Sequence, residues 1–391
     1  MIADKKRKIL EKSLPNNSLL LLIGKGEILR NGDVFYPFRQ DSDFLLLTGL
    51  NIPDIKVIAR NQGSKIEWII YSDPISEKEK IWGTNRISYE EIREKSGISQ
   101  VRSLDEWEGD IDNAMKDAGS IYVRRSDEKL LEQGFMKYRN KFVTLDNLIL
   151  PLRMRKTEEE IEKMRQAITV TKIALDVIQK NINTYSFERE IEGDIASIYR
   201  SHGCTEAYST IVASGSNACM LHYTGYSRKI DEGDFILIDT GAEFEGYAAD
   251  ITRTFMKGEI SARKREIYDA VKHVQSEAID SIKPGRTWDE HEGIMREIMN
   301  RHLEELGFLP KNINREERDL LSRKYFPHRM SHFLGLDVHD SGDRSSILEP
   351  GMLITVEPGI YLRDEAIGVR IEDDILITRD GCEVLSREIP K

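Results

Sequence analysis

The stretch ILIDTGAEFEGYAADITRTF, residues 236–255, carries two aspartates inside segments that are otherwise typical of buried strands. Three apolar residues run directly into Asp239, and Asp250 follows the turn-like EFEG. A buried carboxylate without a partner is costly, so something must compensate each of these charges.

A hairpin centred on Phe244 and Glu245 would place Asp239 and Asp250 opposite each other. Cross-strand neighbours have Cβ atoms about 4.5–5.5 Å apart. Two carboxylates at that separation cannot both stay ionised unaided. The sequence therefore predicts either a shared proton or a bound cation at this hairpin.

Further polar side chains interrupt strand-like segments later in the chain. They are His332 in HRMSHFLGLDVHD, Glu357 in TVEPG and Glu372 in VRIEDDILIT. Carboxylates with one imidazole form a hard, oxygen-rich ligand set that suits Mn²⁺, Co²⁺ or Zn²⁺. Four carboxylates would offset the charge of two divalent ions and leave room for a bridging hydroxide. The alternative interpretation is that these residues are N-caps, salt bridges and surface acids.

Composition narrows the class of protein. The chain has 391 residues and a formal net charge of -11, and its short KKRK segment is followed by acids, so no nucleic-acid partner is expected. Three scattered cysteines, Cys204, Cys219 and Cys382, argue against a disulfide framework. The apolar runs are too short to span a membrane, and no signal-peptide layout begins the chain, so we expect a cytoplasmic protein.

Residues 1–152 read as an α/β domain. Short apolar runs predict strands between charged segments such as SEKEK and SYEEIREKSG, which predict helices. The predicted strands are LLLLIG (19–24), FLLLTGL (44–50), IKVIAR (55–60), KIEWIIYS (65–72) and SIYVRR (120–125).

Residues 153–391 read as a second domain. Thr157 with Glu160, and Thr287 with Glu290, each form a capping box that predicts the start of a helix. A second helix is predicted at about 187–199, with strands from there to residue 255. A helix is then predicted at about 262–282, the helix after Thr287 is predicted to end near Gly307, and strands follow, including HFLGLDVH, MLITVEP and AIGVRIEDDILIT. Two helices followed by strands, twice over, predict duplicated half-domains.

The four motifs ILIDTGAEFEGYAADITRTF, HRMSHFLGLDVHD, TVEPGIY and GVRIEDDILIT resemble, in order, those of the pita-bread metallopeptidases, peptidase family M24. The resemblance implies a C-terminal pita-bread catalytic domain with two metal ions. Asp239 would chelate one ion, Asp250 and Glu372 would bridge, and His332 and Glu357 would ligate the other. It favours Mn²⁺, with Co²⁺ or Zn²⁺ also possible.

The resemblance also implies roles around the metals. Glu357 would be the general base, and Arg370 would orient ligands. His328 and His339 would position substrate and stabilise the tetrahedral intermediate, and His222, in SGSNACMLHYTG, would lie near the proline side. Three further residues match positions that would line the substrate cleft: Asp43, Trp82 and Arg153.

FRQDSDFLLLTGLNIPD resembles the start of the creatinase-like N-terminal domain of aminopeptidase P, so the chain is most similar to Xaa-Pro aminopeptidases. The expected substrates are proline-containing peptides, and a homodimer or homotetramer is expected. TVEPGIYLRDEAIGVRIEDD is short for that group, which leaves an Xaa-Pro dipeptidase (prolidase) as an alternative. A pita-bread binding module and a metal-free creatinase are further alternatives, which the intact ligand set disfavours.

Overall fold

Two units, Met1–Leu152 and Arg153–Lys391, make up the chain in a computed structural model. The structure describes residues 1–343 and 345–391, and for residues 129, 130, 132 and 133 it describes the backbone alone. Within these described residues, no helix combines the length and the apolar character needed to cross a membrane.

The N-terminal unit is a mixed α/β domain. Its elements, in chain order, are α1 (Ile2–Glu11), β1 (Ser18–Ile23), β2 (Leu29–Asn31), β3 (Val34–Phe35), α2 (Ser42–Thr48), β4 (Lys56–Asn61), β5 (Ile66–Tyr71), α3 (Glu77–Trp82), α4 (Tyr89–Ser96), β6 (Gln100–Arg102), α5 (Trp107–Asp117), β7 (Ser120–Val123), α6 (Arg125–Phe135), β8 (Phe142–Thr144) and α7 (Asp146–Met154).

A six-stranded sheet in the order β6-β5-β4-β1-β7-β8 organises this unit. The three central strands β5, β4 and β1 are antiparallel, and the outer pairs are parallel. The strand residues Leu19–Leu22 are fully or almost fully buried, which explains why β1 reads as a continuous apolar run.

The predicted strand FLLLTGL is wrong, because its first residues form helix α2. The Asp41 carboxylate accepts hydrogen bonds from the amides of Asp43 and Phe44, which starts the helix, and Gly49 ends it with a φ of 71°. An apolar run of this length cannot be distinguished from a buried helix by periodicity, so the cap at Asp41 was the decisive signal.

The C-terminal unit contains all five expected metal ligands. Its elements are α8 (Glu158–Asn181), α9 (Glu188–Ser201), β9 (Thr205–Glu206), β10 (Ile211–Ser214), β11 (Phe235–Thr240), β12 (Ala242–Phe244), β13 (Tyr247–Ala248), β14 (Ile251–Met256), α10 (Ala262–Asp280), α11 (Trp288–Glu305), α12 (Arg315–Ser322), β15 (Leu353–Val356), β16 (Gly359–Leu362), β17 (Ile367–Arg370), β18 (Asp373–Ile377) and β19 (Cys382–Val384).

The expected repetition is visible in the order of these elements. Helices α8 and α9 precede the antiparallel sheet β10-β11-β14, and α10 and α11 precede the antiparallel sheet β15-β18-β19. Both predicted capping boxes are present, at Thr157 and at Thr287. A buried core under α8 and α9 includes Ile236 and Ile238, so the apolar run before Asp239 faces packed helices.

The predicted register of the opening hairpin is wrong. In β11 and β14, Asp239 lies opposite Thr252, whereas Asp250 precedes β14 and is diagonal to Asp239. Diagonal residues point to the same face of the hairpin, because side chains alternate along a strand. The two carboxylates can therefore still approach each other.

The turn explains this difference in register. Phe244 pairs with Tyr247, so the two turn residues are Glu245 and Gly246. Both have positive φ, 48° and 87°, as a type I′ turn requires. With Gly246 in the second turn position, the hairpin is centred on Glu245 and Gly246, one residue later than the predicted centre at Phe244 and Glu245.

The predicted strand HFLGLDVH is also wrong. Apart from a single bridge between Phe333 and Ile354, the segment is a series of turns. The amide of Gly335 donates to the carbonyl of Asp337, and the amide of Asp340 donates to the carbonyl of Phe333. These local bonds fold the segment back on itself, which apolar content alone does not reveal.

Candidate metal centre

Five side chains from separate segments converge on one cavity of about 760 Å³ in the C-terminal unit. Each lies in a strand or beside one, where the backbone is held by ladder hydrogen bonds. The five are Asp239 in β11, Asp250 before β14, His332 beside the bridge to β15, Glu357 after β15, and Glu372 between β17 and β18.

His332 is the point at which the acids meet. Its Nε2 lies 3.2 Å from an Asp250 oxygen, 3.6 Å from Glu357 and 3.8 Å from Glu372. One ligand atom each from Asp250, His332 and Glu372 lie within 4.8 Å of one another. This spacing fits donor atoms that surround a cation.

Tyr208, which sequence reasoning missed, joins the two opening aspartates. Its hydroxyl oxygen lies 2.5 Å from Oδ1 of Asp239 and 2.6 Å from Oδ1 of Asp250. A hydroxyl has one hydrogen, so it cannot fully satisfy both carboxylates at once. A proton or a cation is needed between them, as the sequence indicated.

Arg370 is the buried cation of this cluster. Its guanidinium donates to Asp239 at 2.6 Å, to the Tyr361 hydroxyl at 2.9 Å and to the Thr252 hydroxyl at 3.1 Å. Thr252 in turn donates to Glu372 at 2.7 Å. These bonds orient two of the acids from behind, as second partners of metal ligands commonly do.

The electrostatics indicate that one guanidinium is too little positive charge for this cluster. Burial raises the pKa of Asp239 despite Arg370, and burial raises the pKa of Glu357 to about 8. Burial, together with Asp250 and Glu357, raises the pKa of Glu372 well above its usual value. Divalent ions would offset the cost of burying several carboxylates together, because the ions favour the ionised form of each carboxylate.

His332 has the hydrogen-bonding pattern of a metal ligand. Its Nδ1 lies 3.0 Å from the Phe333 carbonyl oxygen, to which it donates, so Nε2 is directed at the acids. Without an ion, the neighbouring carboxylates outweigh burial and raise the pKa of His332 to about 9. The donor set of four carboxylates and one imidazole therefore fits two hard divalent ions.

His328 is held as a neutral imidazole. Its Nδ1 donates to the Arg329 carbonyl at 2.7 Å, so Nε2 accepts from the Tyr361 hydroxyl at 2.8 Å. Burial, with Arg370 nearby, lowers the pKa of His328 well below its usual value. Tyr361, also missed from the sequence, thus links His328 to Arg370.

A buried glutamate, Glu188, organises the segment that carries His222. Its carboxylate accepts hydrogen bonds from Ser214, Asn217, Tyr223 and the amide of Arg228, at 2.7–3.4 Å. His222 itself is exposed and lines the cavity. No sequence signal marked Glu188, because a glutamate at a helix start also reads as a cap.

Arg153 and Lys156 hold the segment that carries His339. Arg153 is buried and donates to Asp337 at 2.6 Å and to Asp340, and the Lys156 ammonium lies 3.3 Å from Asp340. The His339 ring packs edge-on against His332, with centroids 4.5 Å apart. The structure therefore gives Arg153 a place behind His339, and it is not among the residues that line this cavity.

Asp43 and Trp82 belong to the N-terminal unit. Asp43 lies in the first turn of α2, and Trp82 ends α3 with 80% of its surface exposed. Their expected roles in substrate binding stay predictions.

The fold and the site define a two-domain metallopeptidase. Residues 162–379 match the model of metallopeptidase family M24, and residues 3–122 match that of the aminopeptidase P N-terminal domain. The chain belongs to family M24.

Two Xaa-Pro aminopeptidases match this chain over almost their whole length. An Xaa-Pro aminopeptidase of Haemophilus influenzae is 34% identical over 96% of this chain and 91% of the relative. The Escherichia coli Xaa-Pro aminopeptidase is 32% identical over 99% of this chain and 95% of its own. A structure of E. coli aminopeptidase P with the inhibitor Pro-Leu covers 100% of this chain and 95% of that one, at 31% identity, with a TM-score of 0.90.

Proposed function

We propose that the chain is a metal-dependent Xaa-Pro aminopeptidase, which removes the N-terminal residue from peptides with proline in second position. The observation that carries the proposal is the convergence of four carboxylates and His332 on one cavity. Nearly full-length similarity to two Xaa-Pro aminopeptidases supports the choice of substrate.

Two divalent ions would be held by these five residues, which are Asp239, Asp250, His332, Glu357 and Glu372. Bound divalent ions supply Lewis acidity, which makes a water molecule more acidic and polarises a carbonyl group. We propose Mn²⁺ as the ion used, with Co²⁺ or Zn²⁺ as substitutes, because the donors are mainly hard oxygens.

The remaining residues would position the substrate and move protons. Glu357 is the proposed base, since it faces both His328 and His332, with its oxygens 3.5 and 3.6 Å from their ring nitrogens. His339 has no hydrogen-bond partner for its ring in the described parts of the chain, so it is free to donate to a substrate oxygen. His222, from the facing segment, would contact the proline side.

His328 would act mainly through its fixed tautomer. Both of its ring nitrogens are engaged, one with the Arg329 carbonyl and one with Tyr361. A substrate oxygen near this ring would meet a neutral, oriented imidazole.

We further propose a cytoplasmic homodimer or homotetramer, with Asp43, Trp82 and Arg153 acting at or behind the substrate cleft.

The test is a comparison of three peptides with the manganese-loaded protein: Xaa-Pro-Yaa, Xaa-Pro and Xaa-Ala-Yaa. Released amino acids and peptides are identified by mass spectrometry. We expect release of Xaa from Xaa-Pro-Yaa, with the free Pro-Yaa dipeptide as the second product. Replacement of proline by alanine should lower kcat/KM strongly.

Asp250→Ala serves as the matched negative control, because it removes one proposed ligand from the cluster. Faster turnover of the bare dipeptide Xaa-Pro would replace the proposal with a dipeptidase. Hydrolysis that is equal in the Asp250→Ala variant would overturn the metal-dependent reaction.

A further inference from the structure

The cavity has two arginines in its wall, and they differ in how they are engaged. Arg370 is buried, and its guanidinium donates to Asp239, Thr252 and Tyr361. Arg329 is exposed and lines the same cavity. In the ranges 1–343 and 345–391, its guanidinium makes neither an ion pair nor a hydrogen bond. Of these two arginines, Arg329 is therefore the one whose guanidinium can bind an anionic ligand.

The backbone fixes the place of Arg329, although no described residue pairs with its guanidinium. The Arg329 carbonyl accepts from Nδ1 of His328, and the next residue, Met330, is buried and accepts from the amide of Glu357. The residue is thus anchored between an engaged histidine and the backbone of a proposed metal ligand. The backbone of Arg329 is therefore held next to His328, at the edge of the same cavity.

The charges of the cavity complement a short peptide with free ends. Asp239, Asp250, Glu357 and Glu372 line the cavity, and so does Arg329, whose guanidinium has no partner among the described residues and whose neighbour His328 lies 3.5 Å from Glu357. A peptide of two or three residues carries an ammonium at one end and a carboxylate at the other. A planar guanidinium is well suited to a carboxylate, because it can donate two parallel hydrogen bonds.

We propose that Arg329 binds the C-terminal carboxylate of a short Xaa-Pro-Yaa substrate and so makes the enzyme favour tripeptides with a free C-terminus. This inference rests on the proposed aminopeptidase function. The apolar lining residues Ile211, Leu221 and Val338 supply surface for side chains but no charge.

The test measures kcat/KM for Xaa-Pro-Gly with a free carboxylate and for the same peptide as its C-terminal amide. The wild-type protein should prefer the acid by about fivefold, as expected for one partly exposed ion pair. In Arg329→Gln the ratio of acid to amide should fall to about one. Arg329→Lys should keep part of the preference, because it keeps the charge and loses the planar pair of donors.

Arg323→Gln is the matched control, since Arg323 is also exposed and lies on the same segment outside the cavity lining. Its ratio should equal that of the wild type. A third peptide, Xaa-Pro-Asp amide, moves the carboxylate to a side chain. If Arg329→Gln lowered kcat/KM for this peptide and not for the peptide with a free C-terminus, the assignment to the C-terminus would be overturned.

Two further outcomes separate this inference from the proposed function. A wild-type ratio of one, or a ratio that Arg329→Gln leaves unchanged, overturns the role of Arg329 while hydrolysis itself persists. Absence of hydrolysis of all three peptides overturns the aminopeptidase proposal.

Discussion

One carboxylate oxygen of Glu188 accepts hydrogen bonds from both the amide and the hydroxyl of Ser214, at 2.7 and 2.8 Å. Glu188 is fully buried, and its other partners come from the same segment that carries His222. All of these partners are neutral donors: hydroxyl groups, a side-chain amide and backbone amides. The geometry makes Glu188 a positioning residue for one wall of the cavity.

Glu188→Gln should therefore weaken substrate binding. An amide has one accepting oxygen, so several of these donors would lose their partner, at a cost of about 1–3 kcal/mol for each buried group left unsatisfied. We expect KM for Xaa-Pro-Yaa to rise about tenfold, a loss of about 1.4 kcal/mol in binding, while bound metal is retained. Glu162→Gln, at an exposed position of α8, is the control. An unchanged KM would exclude the positioning role.

Asp340→Asn should destabilise the C-terminal unit. Asp340 lies between Arg153 and Lys156, and burial already lowers the pKa of the Lys156 ammonium. Removing one partner of a buried ion pair costs about 3–5 kcal/mol. Urea unfolding should show a loss of this order, together with reduced activity through His339. Asp343→Asn, at an exposed residue of the same segment, should cost less than about 0.5 kcal/mol.

Gly241→Ala should disrupt the hairpin that joins the two aspartates. A Cβ at residue 241 would lie 1.7 Å from the carbonyl oxygen of Ala249, which is backbone and cannot yield without moving Asp250. We expect loss of bound metal and a lower melting temperature. Gly193→Ala, on helix α9 where a Cβ meets open space, should instead be neutral or stabilise by up to about 1 kcal/mol. Full metal binding by Gly241→Ala would contradict this account of the hairpin.

His291 should make stability fall in mild acid. It is fully buried, neither ring nitrogen has a hydrogen-bond partner within the described residues, and burial lowers its pKa from 6.5 to about 4. As the pH falls from about 6.5 to about 4, His291 is protonated in the unfolded chain but stays neutral in the folded chain. Stability conferred by neutral His291 is therefore complete above this window and lost through it, by about 3 kcal/mol.

His291→Leu should remove this part of the pH dependence. Urea unfolding at pH 7 and pH 5 would show a smaller difference for the variant than for the wild type, by about 2 kcal/mol. His273→Leu, at an exposed histidine of α10, should leave the difference as it is in the wild type. Equal pH dependence in wild type and His291→Leu would show that other groups cause it.

Much of the fold follows from local sequence signals. The boxes at Thr157 and Thr287 start helices because the hydroxyl and the glutamate satisfy free amides at the same place. The order of helices and strands in both units follows from similar signals. The segment FLLLTGL was predicted wrongly because a short apolar run has no period, and the capping by Asp41 outweighed it.

The ligand candidates could be found because polar residues stand out in apolar strands, whereas their neighbours could not. Tyr208 and Glu188 contact residues distant in sequence, so their partners depend on how the strands are assembled. In the sequence, Arg153 is an arginine after a domain linker, and only the structure places Asp340 beside it. Such long-range contacts carry no local pattern.

Metal counting coupled to activity tests the central claim most directly. Chelator-treated protein is titrated with Mn²⁺, bound ions per chain are counted by elemental analysis, and Xaa-Pro-Yaa hydrolysis is measured in the same samples. We predict two ions per chain, hydrolysis that rises with them, a higher melting temperature on binding, and loss of both ions or of activity in Asp250→Ala. Full hydrolysis by protein that holds no metal would contradict the account.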